Sequence, residues 1–197
     1  MIAAIAYADQ HGLDDLALRT LGAALGATGS AIYRYFSDKD DLISTMREEL
    51  LGEVIESVEG IEGPRDRLVA LATAFRSAAR THPCLSQLMV RAATSGINTA
   101  SVLTIIVQSL EEMGLRGHNL VLGQRQLESF VVGSTLFDLS GAPIHLEQRA
   151  ERFRLLNNPA FEEYLDSPEA VEAVNEQAYL TSLNLLIDSF TRVMPTA

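Results

Sequence analysis

Several features that secreted and membrane proteins commonly contain are scarce in this chain of 197 residues. It has one cysteine, Cys84, and no tryptophan. Because a single cysteine cannot form an intrachain disulfide, we expect a reducing, cytoplasmic setting. No segment approaches the roughly 18 uninterrupted apolar residues of a membrane span, which predicts a soluble protein with no membrane partner. The first residues also lack the positive charge that begins a secretion signal.

The common signatures of enzymes are missing as well. The sequence contains no GxSxG elbow, phosphate-binding glycine loop, HExxH pair or dinucleotide fingerprint. Its four histidines lie far apart along the chain. Cys84 is predicted to be a small buried apolar side chain rather than a nucleophile. We therefore predict that the protein is not an enzyme and holds neither a metal nor a cofactor.

Positively charged residues are also scarce: the chain has 15 Lys and Arg against 26 Asp and Glu, which gives a net charge of -11. Such an excess of negative charge argues against binding to nucleic acid, whose phosphates reward a basic surface. The acidity is unevenly distributed, however. Residues 1–47 carry four positive and six negative side chains, net -2, whereas residues 48–197 carry eleven and twenty, net -9. Within residues 16–39, Arg19, Arg34 and Lys39 outnumber Asp38, so a DNA-binding role stays open there.

What the chain does have is a helical pattern throughout. Apolar residues recur at three- and four-residue steps without sustained alternation, which predicts an all-α fold. Gly12 is expected to end the first helix, Ser37 and Asp40 to form a capping box for the fourth, and Pro64 to begin the fifth. Residues 141–167 are predicted to be an irregular connection that is partly helical or mobile. Helices are predicted near 2–11, 17–25, 29–35, 38–59, 64–81, 84–94, 98–113, 118–140, 146–156 and 168–193.

The segment from Leu18 to Phe36 is the most informative. Its spacing predicts two short helices that cross steeply, with Leu21 and Leu25 on one face, Gly22 at the contact and Gly26 in the turn. The second helix would then expose small groups and hydrogen-bond donors suited to a DNA groove. A plain three-helix packing unit with Tyr33 and Tyr35 in its core is the alternative. Exposure is favoured because Ile32 and Phe36 already define the inward face.

Residues 2–50 resemble the N-terminal helix-turn-helix domain of the TetR family of transcriptional regulators. The matching segments are AIAYADQHGLDDLALRTLG, LGATGSAIYRYF and KDDL. The resemblance implies that the helix at 29–35 enters the major groove, that Tyr33 and Lys39 hold phosphates, and that Tyr35 occupies a groove-edge position. It implies the following DNA-binding residues: Arg19, Thr28, Gly29, Ser30, Tyr33, Arg34, Tyr35 and Lys39.

The sequence departs from the family pattern at two places. Ala17 stands where the family usually has a threonine that caps the second helix, which leaves Asp14 or Asp15 to cap from upstream. Many members also have a basic arm before the first helix, whereas residues 1–18 contain no Lys or Arg.

By the same resemblance, residues 1–47 form the DNA-binding domain and residues 48–197 a larger helical domain for effector binding and dimerisation. The helices near 118–140 and 168–193 would pair with their twins in a homodimer, as a palindromic operator requires. Alternatively, their apolar stripes line the core of a single chain. The stripes consist of Leu120, Leu127, Val131 and Leu136 with Gly133 and Ser134 on the first, and Val174, Leu180, Leu183, Leu186, Ile187 and Phe190 on the second.

Residues 64–140 also resemble the ligand-binding half of the tetracycline repressor, through RLVALATAFRSAARTH, SLEEMG and VVGSTLF. That protein has a magnesium-binding histidine where Met89 falls and an acidic residue where Phe137 falls. Because magnesium needs oxygen ligands, the apolar replacements favour an apolar or aromatic effector over a metal-chelated drug. The implied pocket comprises Ile55, Leu71, Phe75, Met89, Val102, Ile106 and Phe137.

Polar anchors for such an effector are harder to predict. For each candidate, a role as a helix-end or solvated residue is favoured over a role as an anchor. The candidates are His82, Arg91, Asn98, Gln108 and Gln124. The sequence as a whole predicts a ligand-responsive repressor that binds double-stranded operator DNA as a homodimer and is released by a largely apolar small molecule. A helical ligand-binding or adaptor protein without DNA binding is the alternative.

Overall fold

The computed structural model describes residues 1–26, 29–91, 96–138, 153–164 and 167–193. Ten helices and no strand lie within these ranges, which confirms the all-α fold. None of these helices is both long and apolar enough to cross a membrane. The helices are α1 (Ile2–Asp15), α2 (Leu18–Ala24), α3 (Gly29–Ile32), α4 (Lys39–Glu56), α5 (Pro64–Thr81), α6 (Cys84–Arg91), α7 (Ile97–Glu112), α8 (Gly117–Asp138), α9 (Pro159–Tyr164) and α10 (Pro168–Val193).

The prediction for 141–167 allowed for a partly helical connection. Its C-terminal part contains α9, which begins at a proline, a residue that suits the first helical turn. Most of the helix predicted near 146–156 lies outside the described residues.

Helix ends follow the glycine and proline signals. Gly12 interrupts α1 with a φ of 80°, a left-handed conformation that glycine adopts readily, so the predicted stop is confirmed. Pro64 begins α5, as predicted. The capping box predicted for α4 was wrong. The helix begins one residue later, with Asp38 as its cap, accepting from the backbone N–H of Asp41 at 2.9 Å.

The start of α2 is stabilised from within the helix rather than from upstream. The Thr20 hydroxyl accepts a hydrogen bond from the backbone N–H of Ala17 at 3.0 Å and donates to the Ala17 carbonyl at 2.8 Å. Asp14 and Asp15 do not take this role. Thr20, the third residue of α2, therefore satisfies the backbone N–H of Ala17, as the third residue of a capping box does.

The turn between α2 and α3 has the predicted left-handed glycine, with Gly26 at a φ of 63°. Leu21 and Ile32 are buried on either side of it. Leu25 was expected to share the face of Leu21 but is half exposed. The reason is that α2 ends at Ala24, so the backbone of Leu25 is no longer helical.

α4 joins the N-terminal helices to the rest of the chain. Leu42, Ile43 and Met46 are buried in the same continuous core as the apolar residues of α1 and α2. The helix also packs against α5, α6 and α7. The proposed domain boundary at residue 47 therefore falls inside one continuous helix.

α8 and α10 present one apolar face to the chain's own core and another to solvent. Leu127 on α8 and Leu183, Ile187 and Phe190 on α10 are almost fully buried within the chain. These members of the stripes predicted for dimerisation therefore line a monomer core. Apolar residues at three- and four-residue spacing predict an amphipathic helix. They do not indicate whether its apolar face packs on the same chain or on a second protomer. The apolar side chains that stay exposed on the two helices are Val121, Leu122, Leu136, Val174 and Leu185.

Contacts between α5 and α10 fix the inner face of the last helix. The Tyr179 hydroxyl donates to the Ala72 carbonyl at 2.9 Å, and the Arg76 guanidinium lies 4.3 Å from the centre of the Tyr179 ring. Arg76 also pairs with Glu176 at 2.7 Å. The orientation of α10 is therefore set by polar contacts as well as by apolar packing.

Candidate functional site

The residues that follow α3 form an exposed surface. Tyr33 is 58% exposed and Tyr35 is 79% exposed, and Arg19 and Arg34 are exposed as well. Core positions are thus excluded for both tyrosines, although their roles in DNA binding stay predictions. Thr28 lies outside the described residues, as do the side chains at positions 29 and 30.

Lys39, at the first position of α4, lies close to the end of α1. Its Nζ donates to the Asp14 carbonyl at 3.1 Å. The Asp14 carboxylate in turn pairs with Arg91 of α6 through contacts of 2.5 and 3.3 Å. The hydrogen bond and charge of Arg91 lower the pKa of Asp14, and Asp14 raises the pKa of Arg91. Arg91, a candidate ligand anchor, is therefore engaged in holding α6 to α1.

A second contact joins the same two helices. The Asp9 carboxylate lies 2.8 Å from Nδ1 of His82 and accepts from the backbone N–H of Cys84 at 3.0 Å. His82 was also considered as a ligand anchor, but it binds α1 just before α6 begins. Burial and the nearby Asp9 raise the pKa of the Cys84 thiol, so this cysteine is held in its unreactive form.

A cavity of about 130 Å3 lies among α4, α5, α6, α7 and α8. The pocket residues Leu71, Phe75, Met89, Val102 and Ile106 all line it. The fold therefore brings together five residues, from three helices, that the resemblance implied for the pocket, and their role in ligand binding stays a prediction.

Two of the predicted pocket residues, Ile55 and Phe137, are not among the described residues that line the cavity. Ile55 does not line the cavity, because the face of α4 that does so carries Arg47, Leu51 and Val54. The next position along a helix is rotated by about 100°, which turns Ile55 away. The side chain of Phe137 lies outside the described residues.

Polar side chains also reach the cavity wall, and three of the four were missed from the sequence. Arg47, Thr99 and Glu128 line it together with the predicted anchor Gln124. Gln124 donates to Glu128 at 2.9 Å. The spacing of Arg47, four residues after Ile43 and four before Leu51, was a signal for its inward position.

Glu48 connects α4 to the beginning of α7. Its carboxylate accepts from the backbone N–H groups of Asn98 and Thr99, at 2.6 and 3.1 Å, and from the Thr99 hydroxyl. Asn98 donates its side-chain amide to the Glu48 carbonyl at 2.8 Å, so this candidate anchor is also engaged. The last candidate, Gln108, is exposed.

The environment of Glu48 favours its charged form. Burial alone would raise the pKa of Glu48, but the hydrogen bonds from Thr99 and Asn98 together with the nearby Arg47 hold it below its ordinary value. The Glu48 carboxylate lies very close to the backbone of Gly96, since a Cβ added to Gly96 would lie 2.0 Å from the Glu48 carboxyl carbon. A helix N-terminus favours such a carboxylate.

Metal ligation has no support among the described parts of the chain, where no three His, Cys, Asp or Glu side chains cluster in a way that could hold an ion. Gln124 and Glu128 lie in the cavity wall together with Met89. The chemistry available in the cavity is therefore apolar contact, hydrogen bonding and charge pairing.

Comparison with known proteins matches both parts of the chain. Residues 2–46 match the family described as bacterial regulatory proteins, tetR family, and residues 59–193 match the tetracyclin repressor-like C-terminal domain. An HTH-type transcriptional repressor, DrrR1, of Streptomyces coeruleorubidus is 28% identical over 160 residues, covering 81% of this chain and 57% of its own length. An HTH-type transcriptional regulator of Saccharopolyspora erythraea is 25% identical over 67% of this chain and 56% of its own length.

The match therefore spans little more than half the length of these two curated relatives. Solved structures extend the likeness of fold over nearly the whole chain. A possible TetR family regulator from Streptomyces coelicolor has a TM-score of 0.79 at 24% identity, covering 98% of this chain and 97% of its own. A TetR variant from Acinetobacter baumannii in complex with minocycline has a TM-score of 0.72 at 21% identity, covering 99% and 96%.

The family and these relatives are transcriptional regulators rather than enzymes, in agreement with the missing catalytic signatures. The two profiles together cover most of the chain, and the C-terminal one alone covers more than half of it. The chain belongs to the tetR family of bacterial regulatory proteins.

Proposed function

We propose that this protein is a ligand-responsive transcriptional repressor that binds a palindromic operator as a homodimer. Residues 1–47 would bind double-stranded DNA, and residues 48–197 would bind the effector and dimerise. The observation that carries the proposal is the course of α4. It begins at Lys39 beside the exposed segment and continues to Arg47, Leu51 and Val54 in the cavity wall.

The exposed segment has suitable chemistry for DNA. Tyr33, Arg34 and Tyr35 project hydroxyl and guanidinium donors into solvent from one turn. Such groups hydrogen-bond phosphate oxygens and base edges. We assign Tyr33 and Lys39 to phosphates, and Arg34 and Tyr35 to sequence preference. Lys39 would exchange the Asp14 carbonyl for a phosphate oxygen.

The cavity suits a small effector with a largely apolar body. Its volume of about 130 Å3 is close to that of an engineered protein cavity of ~150 Å3 that binds benzene. Leu71, Phe75 and Ile106 supply apolar wall from two helices. A tetR-type fold in complex with minocycline supports the use of this architecture for small molecules.

Dimerisation would use the solvent-facing sides of α8 and α10. Val121, Leu136, Val174 and Leu185 are exposed there. Apolar side chains concentrated on the free faces of two helices are typical of a protein interface. A two-fold dimer would place its two recognition segments about 34 Å apart, or a multiple of that, to match successive turns of one DNA groove.

Effector binding would act by shifting a conformational equilibrium. When an effector fills the cavity, a different position of α4 becomes the most stable one, and Lys39 moves with this helix. A coupling free energy of about 1–3 kcal/mol changes DNA affinity roughly 5- to 150-fold. The contacts of Asp9 with His82 and of Asp14 with Arg91 offer a parallel connection from α6 to α1.

An electrophoretic mobility shift with DNA from upstream of the protein's own gene tests the proposal. The unchanged protein should shift at least one such fragment. Tyr33→Phe and Lys39→Ala should weaken binding to all sequences alike, whereas Arg34→Ala should also change sequence preference. Arg154→Ala is the matched control, because Arg154 is an exposed arginine far along the chain.

Absence of any shift at low salt would reject the repressor and leave the ligand-binding or adaptor alternative. An equal loss of DNA affinity in Arg34→Ala and Arg154→Ala would show that the surface assigned to DNA binding is wrong. A change in sequence preference without loss of affinity in Lys39→Ala would show that its assignment to phosphate is wrong.

A further inference from the structure

Two polar residues of the cavity wall, Gln124 and Glu128, lie one turn apart on α8. Gln124 donates through Nε2 to Oε2 of Glu128 at 2.9 Å, and Arg125 donates to the same oxygen at 2.7 Å. The charge of Glu128 is therefore balanced by Arg125, and one oxygen of its carboxylate takes both hydrogen bonds. Leu127 and Val131 continue the wall on this face of the helix with apolar side chains.

The second carboxylate oxygen of Glu128, Oε1, accepts no hydrogen bond from the residues that the structure describes. A carboxylate has about four acceptor positions, so this group keeps the capacity to bind a donor. Gln124 keeps donor capacity, because a side-chain amide has two N–H groups and one of them is directed to Glu128. The pair therefore offers both an acceptor and a donor to a ligand in the cavity.

The other polar side chains of the wall are engaged within the protein. The Thr99 hydroxyl donates its proton to the Glu48 carboxylate, and Arg47 also interacts within the chain. All remaining described residues of the wall are apolar. A ligand that fills the cavity therefore meets apolar surface on most sides and the Gln124–Glu128 pair on α8.

We infer that the effector is a small apolar molecule with a hydroxyl group, an alcohol or a phenol, which donates to Oε1 of Glu128 and accepts from the second N–H of Gln124. Its ring or chain would pack on Leu71, Phe75 and Ile106. This inference rests on the proposed role of the cavity as the effector site, and it deepens that proposal by naming the polar group of the ligand.

A hydroxyl fits this pair better than the other common polar groups. It both donates and accepts, whereas an ammonium group only donates and an ionised carboxylate only accepts. A carboxylate would also place a second negative charge beside Glu128. A hydrocarbon would cover the pair without offering a hydrogen bond, and a buried polar group without a partner is unfavourable. The pair should thus raise the affinity for a hydroxyl compound relative to a hydrocarbon of the same shape.

Phenol and toluene are suitable probes, because they have nearly the same size and shape and only phenol carries a hydroxyl. Isothermal titration calorimetry of the full chain, without DNA, gives the ratio of the two affinities for each variant. Comparing this ratio between variants cancels the difference in hydration of the two probes. Glu128→Met should lower the phenol-to-toluene ratio roughly 10-fold, as expected for a hydrogen bond to a charged group. Glu128→Gln should lower it less, because a carbonyl acceptor remains.

Two controls separate the ligand contact from the ion pair. Arg125→Gln removes the ion pair but leaves the Glu128 carboxylate in place, so the full ratio should remain. Glu162→Met changes an exposed glutamate of α9 and should also leave the ratio unchanged. Circular dichroism melting reports whether each variant folds.

A ratio that stays unchanged in Glu128→Met, a ratio that falls equally in Arg125→Gln, or binding of toluene without phenol would overturn the inference and leave the cavity as an apolar effector site. If Glu128→Met does not fold, an unchanged ratio in Glu128→Gln overturns the inference instead. Absence of binding by both probes up to millimolar concentration would overturn the inference together with the effector role of the cavity. None of these results bears on DNA binding, which the mobility shift tests alone.

Discussion

At the scale of single residues, Glu48 joins α4 to the start of α7, a helix that lines the cavity. It lies one position after Arg47 and binds the first residues of α7 through its carboxylate. Since α7 supplies Thr99, Val102 and Ile106 to the cavity, the position of this cap affects the shape of the cavity. A carboxylate can take this role because the free N–H groups of a helix start require an acceptor.

Replacing Glu48 by glutamine should destabilise the protein in a pH-dependent way. The folded state lowers the pKa of Glu48, so its stabilising effect is complete above the unfolded pKa of about 4.3 and is lost as pH falls through the lower folded value. Above pH ~5 we expect Glu48→Gln to lose about 1–2 kcal/mol of unfolding free energy. The difference from the unchanged protein should shrink below pH ~4.

Urea unfolding across this pH range measures the effect. Glu49→Gln is the control, since Glu49 is the exposed neighbour on the same helix. Equal stability of the two variants at neutral pH would contradict the role of Glu48 in capping α7.

Gly96 is the second residue on which this contact depends. A methyl group there would lie 2.0 Å from the Glu48 carboxyl carbon, so Gly96→Ala requires that carboxylate to move and lose its cap. We expect a loss of about 1–3 kcal/mol of unfolding free energy. In a Glu48→Ala background the same substitution should cost much less, which a double-mutant cycle would measure as coupling. Additive losses would mean that the two positions do not interact.

At the scale of elements, α8 and α10 each have apolar side chains that pack on the chain's own core and others that are exposed to solvent. Leu183 and Ile187 face the core of their own chain, whereas Leu185 between them is 66% exposed. Alternation of this kind along one helix leaves a solvent-facing surface that a second protomer can cover. Sequence spacing predicted that both helices are amphipathic, but only packing of the chain separated the inner from the outer set.

Leu185→Glu should dissociate the dimer, because a carboxylate buried in an apolar interface without a partner is strongly unfavourable. Light scattering after size-exclusion chromatography should find a dimer for the unchanged protein and a monomer for the variant. Leu155→Glu is the matched control, since Leu155 is 83% exposed on another part of the chain. A dimer that persists in Leu185→Glu, or a monomer in the unchanged protein, would rule out this interface.

At the scale of the whole molecule, charge is divided between the two parts. The net charge of -11 belongs mostly to residues 48–197, while residues 16–39 have a small positive excess. An acidic remainder of the chain would repel DNA and would restrict the proposed binding to the surface around Arg34 and Lys39. Non-specific affinity should therefore be modest.

The salt dependence of DNA binding tests this distribution of charge. Arg19, Arg34 and Lys39 are the Lys and Arg residues of the 16–39 segment. Three cations on each of two protomers neutralise at most about six phosphates, so a plot of log affinity against log salt should have a slope of about -5 or shallower. Titrations of operator DNA at several salt concentrations would measure it. A slope near -10 would require cations from outside this segment.

Much of the fold followed from local chemistry. Helical spacing predicted the all-α class, Gly12 and Gly26 marked breaks at which left-handed backbone is needed, and Pro64 marked a helix start. These features depend on one residue and its immediate neighbours. Resemblance to the family added the grouping of Phe75, Met89 and Ile106, which no local rule supplies.

Other features depended on which surfaces meet. Tertiary packing directed Asp14 to Arg91 and Asp9 to His82, brought Glu48 to the start of α7, and turned Ile55 away from the cavity. It also placed the charge of Arg47 in an apolar wall. Sequence alone determined the helices and the family, because both depend on local pattern; the structure decided the partners and the chemistry of the cavity, because these arise between residues far apart in the chain.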